Sequence, residues 1–278
     1  MTEMPAARKP LSAAQRERRI RLGVRAAQAA LLGAFLLAWE LGSCRFLDPF
    51  YFSSPGKVLA VLGGELMARG FWNDVRVTCT ELMLGFLGGA AAGVLTGLVL
   101  GRWQLLCAVL EPFFVAVNSI PRIALAPLLV IWFGIDLMSK IVLAASLVYF
   151  ITFFNTLAGV RSVDAGLLSV ARIQGASERQ LFLKVVVPSA SSWIFTGLKL
   201  SLPFALIGVI VGEFLAASAG LGYRLNMYST SYNTTGTMAM LAVMMAFMLA
   251  LNGLMAWAEN RLMAWRPRSV FGADRNVL

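Results

Sequence analysis

The most distinctive chemistry of this sequence lies in polar side chains that occur inside, or at the ends of, long apolar stretches. Charged and amide groups are costly in apolar surroundings, so each is a candidate functional site. The set that we single out is Asn118, Ser119, Arg122, Asn155 and Glu213. Three of these residues flank Pro121, where a proline interrupts the backbone hydrogen bonds of a helix. An arginine at such a break would suit an anion, because its guanidinium forms charge-assisted hydrogen bonds.

A purely structural interpretation of the same charges is also open. Arg122 could pair with Glu111 or with Glu213 and bind nothing else. Glu40, Lys199 and Glu259 lie towards the ends of apolar stretches, where a long side chain can keep its charged head in water.

Several kinds of chemistry are disfavoured by what the sequence lacks. It has no histidine, which is the commonest general base and the commonest metal ligand. Its three cysteines, Cys44, Cys79 and Cys107, are scattered and form no CxxC pair. No GxxxxGK[ST] phosphate-binding loop occurs, so any ATP hydrolysis must come from another chain. We therefore expect no enzyme activity, no cofactor and no metal site.

The composition defines the element type that must position the polar groups. The 278 residues are 59% hydrophobic and 14% charged, against about 45–50% and about 25% in ordinary soluble domains. This excess indicates an all-α integral membrane protein with about six spans of ~20 residues. The apolar stretches that we assign to spans are 24–42, 82–101, 104–135, 139–159, 190–216 and 238–258.

Two spans carry marked glycine and proline patterns. Gly85, Gly89, Gly93, Gly97 and Gly101 recur every four residues and form one stripe on a helix. Such a stripe lets another helix approach closely, either for static packing or as a face that slides. Stretch 104–135 contains Pro112, Pro121 and Pro127, which predict a broken helix whose freed backbone groups line protein or a watery cavity.

The distribution of basic residues predicts the orientation. Most Lys and Arg residues fall in 1–25, near 102, in 160–188 and in the tail, which fits the positive-inside rule for six spans. The net charge of +10 thus needs no nucleic-acid partner. We divide the chain into a basic cytoplasmic segment 1–22, a membrane domain 23–262 and a cytoplasmic tail 263–278. A signal peptide that ends near Leu41-Gly42-Ser43-Cys44 is the alternative interpretation of the N-terminus.

Segment 160–188 predicts two short helices, about 165–173 and 177–185, joined at Gly175. Glycine permits the backbone turn between them, and Ser177 is a typical N-cap. Leu167, Leu168 and Ala171 form an apolar face suited to a groove on a partner, with Arg172 beside it. The alternative is a basic loop that lies on anionic lipid.

The same segment resembles the signature of bacterial ABC-importer permeases, with Ala171, Gly175, Val185, Val187 and Pro188 as matches. Ser169 and Val170 depart from that signature. Further segments resemble the permeases of nitrate, sulfonate, taurine and bicarbonate importers, and Glu81 and Arg122 depart from what is usual there. The supporting segments are Ser53-Ser54-Pro55-Gly56-Lys57-Val58, Glu111-Pro112, Ser119-Ile120-Pro121, Ala126-Pro127-Leu128, Trp132-Phe133-Gly134-Ile135, Gly212-Glu213-Phe214 and Gly220-Leu221-Gly222-Tyr223.

The resemblance implies a type I importer permease in the bacterial inner membrane with both termini in the cytoplasm. It implies two ATP-binding subunits, an external substrate-binding protein, and pairing of the permease as a homodimer. The residues that it places in the ATPase-coupling loop are Ala171, Arg172, Gly175, Ala176, Ser177, Glu178 and Pro188. The implied mechanism is alternating access for a small anionic solute, past the five polar residues named above.

Two other functions remain open from the residues alone. A secondary transporter driven by ions or protons would need an inverted repeat and buried relays, and we find neither a repeat nor a histidine. A membrane-embedded enzyme would need clustered catalytic groups. The solute also stays open among taurine, other sulfonates, nitrate, bicarbonate and a pyrimidine precursor.

Overall fold

The computed structural model describes residues 13–45, 48 and 50–263, and their regular structure is helical throughout. The described residues fall into two units, one made of 13–57 with 260–263 and the other of Val58–Glu259. The helices are α1 Ala13–Arg45, α2 Pro55–Met67, α3 Arg69–Arg102, α4 Gln104–Asn118, α5 Ala126–Phe133, α6 Leu137–Arg161, α7 Ala165–Ile173, α8 Glu178–Leu181, α9 Val187–Leu215, α10 Leu221–Thr230 and α11 Thr234–Leu262.

The expected membrane spans are confirmed. Five helical segments of the described chain are long and apolar enough to cross a membrane, and a bent pair of helices makes a sixth. Helix α3 begins at Arg69, well before the apolar stretch that starts at 82, because Asp74 and Thr78 are buried with partners of their own. Residues 1–12 and 264–278 of the two expected terminal segments lie outside the described residues.

The glycine stripe packs α3 directly against the backbone of α6. A Cβ atom placed on Gly85 would lie 2.8 Å from the Ala144 side chain, and one on Gly97 would lie 2.8 Å from Thr156. Real side chains do not approach so closely, so only glycine allows this separation. The stripe is therefore a packing surface, which was one of the two interpretations of its spacing.

The core of the larger unit is a layer formed by α3, α6 and α9. Leu82 and Phe86 of α3 pack with Ala144 and Val148 of α6, and Val209 of α9 belongs to the same buried cluster. Methionines of α11 pack on the outside of this layer, as expected for an adaptable thioether side chain. Helix α6 packs against both α3 and α9, and α3 and α9 also contact each other, since Thr78 bonds to Glu213.

The proline-rich stretch is broken as predicted. Helix α4 ends at Asn118, Pro121 starts a 3₁₀ turn over Arg122–Leu125, and the chain continues as α5. The axes on either side of the break differ by 71°. Pro121 has no N–H to donate, so the hydrogen-bond ladder cannot pass through it.

The smaller unit is held by contacts of α1 with the segment that follows it. The Glu40 carboxylate accepts a hydrogen bond of 3.0 Å from the backbone N–H of Gly56, and the Trp39 indole donates to the carbonyl of Ser53 at 2.8 Å. Glu40 therefore satisfies a free donor at the start of α2 and is not only an interfacial charge.

We expect Gly93→Ala to destabilise the protein by about 1–3 kcal/mol, the usual cost of overpacking. A Cβ atom at this position would lie 2.5 Å from the Tyr149 carbonyl oxygen and 3.1 Å from the Phe153 nitrogen, and neither backbone atom can yield cheaply. The matched control is Gly88→Ala on the same helix, where nothing lies within 4 Å. Thermal unfolding in detergent measures both, and equal melting temperatures would contradict the close approach of α3 to α6.

Candidate functional site

A helical elbow, residues 164–188, is the first candidate site. It consists of α7, a turn at Gly175 with φ of +81°, the single-turn helix α8 and a π-helical turn over Phe182–Val186. A positive φ strains any residue with a Cβ, which is why glycine stands there. The predicted pair of short helices and the turn between them are confirmed.

Both short helices of the elbow are capped by side chains. The Asp164 carboxylate accepts a hydrogen bond of 2.9 Å from the N–H of Leu167. Ser177 and Gln180 form a reciprocal capping box, with Gln180 Oε1 accepting from the Ser177 N–H at 2.9 Å and Ser177 Oγ accepting from the Gln180 N–H at 3.3 Å. These bonds satisfy free donors at the helix starts and fix the angle of the elbow.

The second predicted helix, 177–185, does not end where we expected. The chain passes through the π turn into α9 without a break, and Pro188 lies in the first turn of α9. Pro188 has no N–H for the carbonyl of residue 184, and the local shift to π-type bonding accommodates this loss. The elbow is therefore continuous with the long helix that follows it.

The elbow exposes an apolar face. Leu167, Val170 and Ile173 of α7 are 49%, 52% and 86% exposed, whereas Leu168 and Ala171 are half-buried. The face that is free to meet a partner is thus shifted from the predicted Leu167–Leu168–Ala171 set. Arg172 pairs with Glu178 at 3.4 Å across the turn, but both are exposed and such a pair contributes at most about 1 kcal/mol.

Arg102, at the end of α3, joins that helix to the elbow. Its guanidinium donates to the Glu178 carbonyl at 3.3 Å and lies 5.3 Å from the centre of the Phe182 ring. Leu181 is buried beside these contacts. The elbow is therefore joined to α3 through Arg102 and to α9 through the continuous backbone.

The Arg122 guanidinium contacts only uncharged groups in the described part of the chain. It donates to Asn118 Oδ1 at 2.9 Å and to the Val117 carbonyl at 3.4 Å, and it lies 4.0 Å from the centre of the Phe150 ring. The predicted group Asn118–Arg122 is thus formed at the α4–α5 break. Ser119 is nearby in sequence, but its hydroxyl donates to the Val115 carbonyl of its own helix.

Pairing of Arg122 with Glu111 or with Glu213 is wrong for this conformation. Glu111 binds Arg161 through two hydrogen bonds of 2.9 and 2.7 Å, one to each guanidinium nitrogen. Glu213 is fully buried and bonds to Thr78 and Gly222. Both acids already have partners, so the Arg122 guanidinium has no carboxylate partner among the described residues.

Asn155 lies apart from the groups at the break. Its amide donates to the Ile151 carbonyl one turn earlier at 2.8 Å, and its side chain lies against Gly197 of α9. It is half-buried at a helix contact. Glu213 is fully buried, so a solute can reach it only in another conformation of the bundle.

The second candidate site is the α10 cluster, formed by Glu65, Asp74, Thr78, Glu213, Arg224 and Tyr228. Arg224 forms ion pairs with both Glu65 and Asp74, and it is only 14% exposed. Tyr228 also donates to Glu65. The cluster ties α10 to α2 and α3 at the end of the bundle opposite the elbow, since it involves the start of α3 and the end of α9.

Three successive N–H groups at the start of α10 are captured by side chains. The N–H of Gly220 donates to Asp74 at 2.9 Å, that of Leu221 to Thr78 at 2.9 Å and that of Gly222 to Glu213 at 2.6 Å. A helix start has free donors, and anionic acceptors suit it well. The Gly220-Leu221-Gly222 segment is therefore an anchored turn.

The pKa of Tyr228 is raised above its ordinary value, because its hydroxyl donates to the Glu65 carboxylate, the ring is partly buried and the carboxylate charge disfavours a phenolate. Tyr228 is thus a proton donor at neutral pH. It fixes the second oxygen of Glu65 while Arg224 holds the first.

Several residues of these sites were not singled out in the sequence. A usable signal existed for one face of α3, since Asp74, Thr78 and Glu81 are spaced at four and three residues and so share a helix face. No local signal could have paired them with α10, because the partners are more than 130 residues away. Among the described residues no group of acids and cysteines is arranged to hold a metal ion.

Comparisons with known proteins agree on one family. The model of the "binding-protein-dependent transport system inner membrane component" family matches residues 89–264. The chain is 30% identical to the formylaminopyrimidine transport permease protein ThiX of Halalkalibacterium halodurans, over 84% of this chain and 93% of the relative. It is also 30% identical to the taurine transport system permease protein TauC of Escherichia coli, over 82% and 84%.

A solved structure extends the likeness to the fold. An inward-facing structure of the methionine ABC transporter MetNI matches with a TM-score of 0.52 and 23% identity, over 72% of this chain and 95% of that chain. At this identity the match concerns the fold alone.

Ser177→Ala should loosen the elbow locally. Loss of an N-cap costs about 1 kcal/mol, which corresponds to about fivefold faster amide hydrogen exchange if α8 opens on its own. The control is Ser169→Ala, whose hydroxyl only donates to the Ala165 carbonyl within α7. Exchange mass spectrometry of a peptide that covers residues 178–181 gives the measurement. Unchanged exchange in Ser177→Ala would mean that the capping box does not hold the turn.

Proposed function

Because the chain belongs to the family of binding-protein-dependent transport system inner membrane components, we propose that it is the permease of an ATP-driven importer for a small anion. It is a multi-pass membrane subunit of an ABC importer, and it acts by alternating access. The observation that carries the proposal is an exposed apolar elbow that is joined to two core helices.

The elbow is the site at which we propose that a cytoplasmic ATP-binding subunit docks. The exposed side chains of Leu167, Val170 and Ile173 suit an apolar groove on that subunit. Closure of two ATP-binding subunits would move the elbow, and Arg102 together with the α8–α9 backbone would carry the motion to α3 and α9. Of the coupling-loop residues, Gly175 and Ser177 set the angle, and Ala171, Arg172, Ala176, Glu178 and Pro188 shape the docking element.

This placement sets the orientation that we propose. The elbow and both termini face the cytoplasm, and the α10 cluster faces outward, where a substrate-binding protein would deliver the solute. The basic residues of 1–25 and 160–188 agree with this orientation. We also propose a homodimer, in which a second copy covers apolar side chains that α4 and α5 expose, among them Phe113 and Ile131.

The solute pathway is proposed to pass the α4–α5 break. Arg122 has amide, carbonyl and aromatic partners but no carboxylate among the described residues, so its charge is available to an anion. Asn118 and Ser119 supply neighbouring polar groups, and Asn155 and Glu213 become contacts only when the helices separate. Each conformational state must bind the solute with a different affinity if the solute is to shift the equilibrium.

The chemistry of the solute is suggested by relatives and by Arg122 together. Relatives are named for transport of taurine, aliphatic sulfonates, formylaminopyrimidine and riboflavin. Only some of these carry a compact anionic group that a single guanidinium can bind. We therefore place a sulfonate first, with nitrate and bicarbonate as smaller anions of the same charge.

Ile173→Ser should weaken the association with the ATP-binding subunit. Removal of one buried apolar side chain costs about 1.5–3 kcal/mol, so co-purification should fall about tenfold or more and solute-stimulated ATP hydrolysis should fall with it. Met67→Ser serves as the control, since Met67 is similarly exposed at 89% but lies on α2. If Ile173→Ser retained full association and Met67→Ser did not, the docking surface would lie elsewhere.

Arg122→Ala should reduce uptake of the transported anion by about ten- to hundredfold, the cost of a hydrogen bond to a charged group. Arg122→Lys should recover part of it, because the charge remains but the paired donors are lost. Uptake of taurine, an alkanesulfonate, nitrate, bicarbonate and formylaminopyrimidine is measured in vesicles that contain the whole importer. Arg76→Ala removes an exposed charge of α3 as a control, and normal uptake of every anion by Arg122→Ala would exclude Arg122 from the pathway.

A further inference from the structure

Glu81 of α3 is a fully buried acid whose surroundings supply too few donors. The side chain is 1% exposed, and its Oε2 atom has no hydrogen-bond partner in the described part of the chain. Its carboxyl lies within hydrogen-bonding reach of the Glu213 carboxyl. A buried ionised carboxylate needs donors or a counter-charge, so an acid placed in this way must be explained.

Glu213 uses its oxygens as acceptors. It accepts from the Thr78 hydroxyl at 2.6 Å and from the Gly222 N–H at 2.6 Å. Hydrogen bonds accepted by a carboxyl favour its ionised form, and two carboxyls can bond to each other only through a proton. Because Glu213 already accepts on both oxygens, the proton between the two acids is best placed on Glu81.

The basic side chains nearest to this pair of acids lie on α6 and α10. Lys140 of α6 is 2% exposed, and its ammonium donates to the Ile135 and Asp136 carbonyls, close enough to act on both acids by its charge. Arg224 of α10 is taken up by Asp74 and Glu65. Lys140 thus supplies one positive charge for two carboxyls, so the pair is electrically balanced when only one of the two acids is ionised.

We propose that Glu81 is a proton-binding site. It holds one proton at neutral pH, and this O–H group donates a hydrogen bond to the ionised carboxylate of Glu213. The group Glu81–Glu213–Lys140 is then electrically neutral. Its only unmatched atom is the carbonyl-type oxygen of an uncharged acid, which costs far less to bury than a charge.

The proton controls how α10 is attached. Glu213 holds the Gly222 N–H, and a Cβ atom on Gly222 would lie 2.8 Å from Glu213 Cβ, so the loop follows this side chain closely. Loss of the Glu81 proton would place a second negative charge beside Glu213, and Lys140 is the one cation that acts on both acids among the described residues. Repulsion would then separate the start of α10 from α3 and α9, and the site acts as a proton-controlled latch.

Infrared spectroscopy of the full-length chain tests the proton directly. In a maltoside detergent, which has no ester carbonyl, the wild type should show the carbonyl band of a protonated acid at neutral pH. The band should disappear as the pH is raised, and Glu81→Gln should lack it at neutral pH, where ordinary carboxyls are ionised. Glu111→Gln should keep it, because Glu111 is paired with Arg161 as a carboxylate. A wild type without the band would overturn the proposal, whether or not the variant folds.

The pH dependence of stability gives an independent measurement. A proton bound in the folded state and released on unfolding stabilises the fold at low pH, and this contribution is lost as the pH rises through the titration of the folded site. The folding equilibrium constant of the wild type should therefore fall by up to about tenfold per pH unit more steeply than that of Glu81→Gln. Parallel curves for the two proteins would show that Glu81 binds no proton on folding.

Discussion

The close contact between α3 and α6 is the constraint on which the rest of the molecule depends. In lipid the hydrophobic effect does not drive helices together, so helices associate through close backbone approach and van der Waals packing. The glycine stripe supplies that proximity along the second half of α3, from Gly85 to Gly101. Because α9 packs against α6 and also contacts α3, the three helices form one block whose residues hold their positions together.

A block of this kind concentrates movement at its ends. At one end Arg102 and the continuous α8–α9 backbone join the elbow to the block. At the other end Asp74, Thr78 and Glu213 hold the first N–H groups of α10. The break at Pro121 lies between them, on the separate pair of helices α4 and α5. A movement of the elbow would therefore be transmitted to the anchored turn and to the break, while the packing inside the block stays unchanged.

The sequence was informative where one local pattern determines the outcome. Apolar length predicts the spans, Pro121 predicts the break, and Gly175 with Ser177 predicts the elbow. It was uninformative where partners are distant in the chain. The pairing of Arg161 with Glu111, and of Arg224 with Glu65 and Asp74, depends on helix packing that no local signal encodes. The exposed face of α7 was misjudged for the same reason, since burial of Leu168 depends on neighbouring helices.

The two unusual ionisable groups of this chain solve opposite electrostatic problems. Within the described part of the chain Arg122 has no carboxylate partner, and it lies at a break where a helix cannot satisfy its own backbone. Glu81 is enclosed completely beside Glu213, and the proton that we propose there would keep it uncharged. The guanidinium of Arg122 favours reversible binding of an anion, whereas the enclosed, uncharged acid at Glu81 favours a fixed structure. The positions of the two groups thus separate the part of the molecule that binds from the part that holds the bundle closed.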